Sequence, residues 1–334
     1  MFKEKTHNAG NSIKNLKNWA IGSLNVIQTM GVFLLIFTFL SITYPRFFTI
    51  LNLTNIIKQQ VPNLIVAVGI TFILISGEID ISIGGSIGLI TIVTAKAMLA
   101  WGIFPGLILG ILTGVFVGFF NGFLVVKGRI PSFIVTLGMM MMTRSIAYVI
   151  TRGFSIGGLP ENFKAFYNLR FLKIPIIFII VIVIYIIAYI ALTKTVFGKQ
   201  IFAVGSNRKA ADLSGINSNM VKFRTFIVLG FLVGIAGVIL VSRLGGVQAE
   251  TGRGFEFEVI SAVIIGGCSL YGGAGNVLQS IIGVFIIAMI RNGLNLSHMD
   301  LYWQEFVTGA VIIIAVLLDT WRVRIRERMV LSRG

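Results

Sequence analysis

Cysteine occurs once in this 334-residue chain, at Cys268, and histidine only twice, at His7 and His298. One cysteine excludes a disulfide framework, and so few thiols and imidazoles leave no cluster spaced like metal ligands. Acidic residues are scarce as well, 12 Asp and Glu against 28 Lys and Arg, for a net charge of +16. In a soluble protein that excess of base would suggest nucleic acid. Here the basic residues fall between long apolar runs, where they fix membrane topology, and nucleic acid is not an expected partner. Long polar stretches are missing too. The most polar connections, residues 152–174 and 194–224, are too short to bury a core of their own, so a soluble catalytic or receptor domain has to be another polypeptide.

What the chain has in abundance is apolar surface: 56% hydrophobic residues, 12% charged residues and a mean hydropathy of +0.94. A water-soluble core of this length cannot hide that much, so the natural solvent is a bilayer. A spanning helix needs about 20 apolar residues, because about 30 Å of hydrocarbon is crossed at about 1.5 Å per residue. That ruler predicts an all-α polytopic membrane protein of about ten transmembrane helices. They lie near residues 22–43, 60–76, 84–101, 104–126, 132–151, 175–193, 225–242, 256–270, 277–294 and 303–319. The first run has no small-residue cleavage site behind it and reads as a retained helix. The chain then divides into an N-terminal tail (1–21), a transmembrane domain (22–319) and a basic C-terminal tail (320–334).

Basic residues set the orientation, since cytoplasmic loops retain Lys and Arg during insertion. With both termini cytoplasmic, that side receives 17 of the 28, including Lys127, Arg129, Lys194, Lys199, Arg208, Lys209, Lys222 and Arg224. The opposite face carries Arg152, Arg170, Lys173, Arg243 and Arg253 mixed with Glu161, Glu250, Glu256 and Glu258, a charge pattern suited to docking a soluble protein. Lys96, Arg144 and Arg291 fall inside spans.

Four local features stand out. Gly110, Gly114, Gly118 and Gly122 recur every four residues and line one face of the fourth span, which reads as close helix packing, with a substrate-lining role as the alternative. The turn Ser76–Gly85 (SGEIDISIGG) sets Glu78 and Asp80 between apolar segments. Carboxylates at such a depth are costly unless they are interfacial, paired or cavity-lining. The turn is then either interfacial, with Ser82 capping the next helix, or a structured re-entrant element of a translocation pathway. The loop Gly205–Asn217 reads as a two-turn helix, with Asn207 as N-cap, Ala210 and Ala211 as helix formers and Gly215 as the left-handed stop. Two turns are unstable alone in water, so the helix needs a host, either the membrane surface or a partner's groove. The run Ile264–Val277 holds five glycines and lacks the Lys and Ser/Thr of a phosphate loop, so it reads as a tight turn.

Three of these segments together resemble the ribose-type permeases of bacterial ABC importers, over about Phe47 to Asp319. Gly77–Gly84 is similar to that family's Gly-Ile-Asp-Leu-Ser-Val-Gly signature, although Glu78 stands where the family usually has a second glycine. Gly205–Asn217 is similar to its ATPase-contacting loop, and Gly266–Gly275 with Asn292–Leu296 (NGLNL) to its late motifs. The resemblance implies a multi-pass protein of the bacterial inner membrane with no catalytic site and no cofactor. Its implied partners are a second permease subunit, a cytoplasmic ABC ATPase subunit, an extracytoplasmic sugar-binding protein and membrane lipid. Its implied cargo is a monosaccharide: a pentose, a hexose or a related polyol. By the same resemblance Asn207, Arg208, Ala210, Ala211, Leu213, Ser214, Gly215 and Ile216 are ATPase-coupling residues, with Leu213 and Ile216 as apolar anchors. Glu78, Asp80, Ser82, Asn292 and Asn295 are candidates for the translocation pathway. The rival class is an ion-coupled secondary transporter, for which Glu78, Asp80, Lys96, Arg144 and Arg291 are the raw material.

Overall fold

The computed structural model describes residues 27–172 and 174–331; the N-terminal tail (1–21), the start of the first span, Lys173 and residues 332–334 lie outside the described residues. The chain is a bundle of helices: α1 (Ile27–Thr43), α2 (Ile50–Gln59), α3 (Val61–Ile75), α4 (Ile83–Trp101), α5 (Ile103–Val126) and α6 (Ser132–Thr151). There follow α7 (Glu161–Phe166), a two-stranded hairpin of β1 (Arg170–Phe171) and β2 (Ile174–Pro175), α8 (Ile176–Lys194), α9 (Val196–Ser206) and α10 (Arg208–Leu213). The chain ends in α11 (Ser218–Leu244), α12 (Phe255–Ile265), α13 (Val277–Leu296) and α14 (Leu301–Leu331), so α14 runs without a break past the end expected at 319.

Among the described residues, seven helices are long and apolar enough to cross a membrane, and eight if α2 and α3 count as one bent span. Two expected spans are shorter than the apolar runs that suggested them. Helix α3 has 15 residues, about 22 Å of rise, and meets α2 at a 43° bend where Pro62 opens the new helix. All of its residues are buried, so this stretch is the centre of the bundle rather than a lipid-facing span. The run at 256–270 is helical only to Ile265, because Gly266 and Gly267 follow and Gly267 takes φ +99°, a conformation that ends a helix.

The glycine stripe of α5 packs against α11. A methyl group on Gly114 would lie 2.8 Å from the Gly234 Cα, and one on Gly118 would lie 3.0 Å from the Gly230 Cα. Gly110 faces Thr94 and Val238, and Gly122 faces Phe223 and Phe226. The partner glycines Gly230 and Gly234 keep the same four-residue spacing, so the two backbones meet through small residues on both sides, as apolar helices must when no hydrophobic force drives them together.

The loops gather at two ends. Loops 76–82, 127–131, 195–217 and 266–276 meet at one end, here the base. Segments 44–60, 152–172, 245–254 and 297–300 lie at the other, the rim. Asp319 of α14 accepts a 3.0 Å hydrogen bond from the Leu270 N–H, which brings the late part of α14 to the base.

Candidate functional site

At the base, the three segments that carry the family resemblance touch through glycine backbone. The Gly273 N–H donates to the Ile75 carbonyl at 2.9 Å. A methyl group on Gly205 would overlap that carbonyl and lie 2.7 Å from the Gly273 nitrogen; one on Gly272 would lie 2.8 Å from the Gly205 oxygen and 2.9 Å from the Gly77 Cα. Gly77, Gly272 and Gly273 all have positive φ, which other residues reach only with strain.

Helix α10 projects from this junction. Asn207 accepts the Ala210 N–H at 3.0 Å as N-cap, and Gly215 closes the helix at φ +81°. Ala210, Ser214 and Gly215 are exposed. Leu213 is 91% exposed, a bare apolar side chain on a helix of six residues. The other apolar positions point the opposite way: Ala211 is buried and Ile216 is half-buried against this chain's own core, so the helix is seated on its parent through them.

A polar chain leads from α10 into the bundle. Arg208 donates to the Asn219 side chain at 2.8 Å on the first turn of α11. One turn further, Lys222 forms an ion pair with Glu78, and both side chains are about nine-tenths buried. Glu78, Arg129, Ser132, Arg208, Asn219 and Lys222 border a cavity of about 480 Å³. Asp80, two residues on, is differently placed. It accepts from the Ser82 N–H at 2.7 Å, the Ser82 hydroxyl at 2.6 Å and the Asn121 amide at 3.0 Å, in a pocket of only about 10 Å³. Burial pushes its carboxyl pKa up, and the bonds from Ser82 and Asn121 oppose that shift. Ser82 makes no capping bond to α4: its hydroxyl donates to Asp80 and accepts from the Asn121 amide at 2.9 Å, and these bonds brace the turn.

A second cavity of about 480 Å³ opens at the rim and is lined by side-chain amides and charges. Asn292 exchanges 3.0 Å hydrogen bonds with Asn52, and Gln304 donates to Asn295 at 2.8 Å. Arg291 pairs with Glu258 of α12, which also accepts from Asn63 at 3.4 Å. Glu258 and Glu256 are 5% and 3% exposed, so neither is a surface charge available for docking, unlike Arg152, Arg170 and Arg253. Sequence reasoning missed the Glu258–Arg291 pairing, although the signal existed: a guanidinium inside an apolar helix requires a carboxylate from another one. Asn63 and Asn121, single amides in apolar runs, gave no signal.

Comparison with known proteins places this geometry. Residues 52–316 match the family described as branched-chain amino acid transport system, permease component. The ribose import permease RbsC of Bacillus subtilis is 41% identical, over 88% of this chain and 93% of that protein. The D-allose transport system permease AlsC of Escherichia coli is 36% identical, over 87% and 89%. The L-arabinose ABC transporter permease AraH of Azospirillum brasilense is 33% identical, over 89% and 88%. No solved structure matches. The glycine-locked base and the apolar bundle are therefore those of a multi-pass membrane protein, and the chain belongs to the transport-system permease-component family.

Proposed function

We propose that the chain is the membrane-spanning permease subunit of an ATP-binding-cassette importer and carries a monosaccharide delivered by an external binding protein. In this reading the chain crosses about ten times, some of the crossings by short helices, with both termini and the base in the cytoplasm; the gathering of loops at two ends supports it, with Lys127, Arg129, Lys199, Arg208, Lys209 and Lys222 all at the base. Relatives named for ribose, L-arabinose and D-allose support the cargo class. The chain performs no chemistry. ATP binding and hydrolysis in a partner subunit move α10, and the motion passes through Arg208, Asn219, Lys222 and Glu78 to the turn between α3 and α4. A second permease subunit completes the pathway, and each rim cavity, with Asn292 and Asn295 in its wall, receives sugar from outside.

The observation that carries this reading is Leu213: an apolar side chain left 91% exposed, on a short helix held from behind by Ala211 and Ile216, is presented to a partner. Leu213→Asp is expected to detach the ATPase subunit or to uncouple hydrolysis from uptake while the bundle stays folded. If α10 instead lies on anionic lipid, held by Lys199, Arg208 and Lys209, ATPase co-purification and sugar-stimulated hydrolysis survive the change, and the coupling role is refuted.

A further inference from the structure

Eight buried side-chain atoms among the described residues lack a hydrogen-bond partner, and four of them belong to one cluster. They are Nε and Nη2 of Arg144 on α6, Oε2 of Glu250 in the loop before α12, and Oε2 of Glu256 in the first turn of α12. Glu256 is 3% exposed. Arg144 makes no ion pair among the described residues, although it and Arg253 both act electrostatically on Glu256. Tyr148, one turn along α6 from Arg144, donates to the other oxygen of Glu250, and Arg253 stands 3.7 Å from Glu250 Oε2. Burying a charged atom without a hydrogen bond is costly in a bundle that faces lipid, even when the rest of its group is bonded. The cluster is therefore built for something that completes it.

The unpaired atoms specify what that is. Guanidinium N–H groups need acceptors, and carboxylate oxygens need donors. A hydroxyl supplies both at one atom, and adjacent hydroxyls on a sugar ring supply both at the spacing of neighbouring oxygens. The backbone packs closely around the cluster: a methyl group on Gly84 of α4 would overlap the Glu256 carboxylate, and one on Gly252 would lie 2.9 Å from the Gly84 oxygen, so the cluster is shut in this conformation. The cluster also adjoins the rim cavity. Thr251, Gly252, Arg253 and Phe255 form one wall of that cavity, so one segment separates the open cavity from the buried charges. That segment is pinned at Val247, which pairs with Ile156 through bonds of 2.8 and 2.9 Å, and its far end holds Gly252 and Gly254 at φ +90° and +78°.

We infer that Arg144, Glu250 and Glu256 form an inner binding station for the hydroxyls of a neutral monosaccharide, one step beyond the rim cavity and closed in this conformation by residues 248–254. This rests on the import reading above. The station takes the sugar as it leaves the rim cavity, when the segment ending at Gly252 and Gly254 moves aside. Because charged groups bond to specific hydroxyls, it also adds selectivity that the binding protein does not supply.

The test uses the permease–ATPase complex in nanodiscs without binding protein, probed with ribose, arabinose and allose by saturation-transfer NMR, together with uptake by the complete importer in vesicles. Glu256→Gln and, separately, Glu250→Gln are compared with Glu305→Gln, an exposed carboxylate of α14 outside the cluster. Loss of one charged hydrogen bond is expected to weaken transfer to the sugar and slow uptake about tenfold or more. Glu305→Gln is expected to match wild type, and the complexes that assemble to melt alike. If Glu256→Gln fails to assemble, Glu250→Gln, on the loop, decides. Wild-type transfer and uptake in the variant that assembles overturn the inner station and leave the import reading intact. Absence of ATP-driven uptake of every sugar by the wild-type importer overturns the import reading itself.

Discussion

Gly205→Ala is the sharpest probe of the base, because one methyl group is added where three chain segments meet. Its Cβ would overlap the Ile75 carbonyl oxygen and sit 2.7 Å from the Gly273 nitrogen, both backbone atoms that no rotamer change can move. Relief requires α9 to back away by on the order of 1 Å, given carbon contacts of about 3.5 Å. Overpacking of this kind costs about 1–3 kcal/mol. Weakening the Gly273 N–H bond to Ile75 adds about 1 kcal/mol. Against this, alanine is the better helix former by about 1 kcal/mol, so the net loss is about 1–3 kcal/mol. Gly138→Ala on α6 gives the control, since its added methyl group meets nothing within 4 Å and only the propensity gain remains. Thermal melting of the purified complex is expected to fall for Gly205→Ala and to hold or rise for Gly138→Ala. The displaced α9 carries α10 with it, so sugar transported per ATP hydrolysed should fall for Gly205→Ala alone. A Gly205→Ala complex with wild-type melting and wild-type coupling would refute the idea that the three glycine segments form a rigid transmission joint.

Lys222→Met leaves Glu78 charged and about nine-tenths buried; breaking such a pair from one side costs about 3–5 kcal/mol. The double variant Glu78→Gln, Lys222→Met is expected to recover most of the melting temperature without recovering coupled uptake. For topology, a cysteine at Lys199 at the base is expected to resist an impermeant external thiol reagent in intact cells, and one at Phe154 at the rim, 75% exposed, to react. The native Cys268 is 0% exposed and should stay unlabelled in both, so the reverse pattern would invert the proposed orientation.

The sequence by itself determined the solvent, the helical class, the short capped helix at Asn207–Gly215 and the glycine face of α5. Each of these is local: hydropathy over 20 residues, a side chain three residues from its backbone partner, a small residue every fourth position. The tertiary structure decided what touches what. The Lys222–Glu78 pair joins residues 144 apart in sequence and the Asn63–Glu258 bond residues 195 apart, and no local pattern encodes either. It also decided that α3 and α12 are shorter than the apolar runs that suggested them, one bent from α2 at Gln60–Pro62 and the other ending at Gly266–Gly267. Finally, it turned Glu256 and Glu258 inward: a carboxylate beside a rim looks like a docking charge until the positions of Arg144 and Arg291 in the folded bundle assign it to the interior.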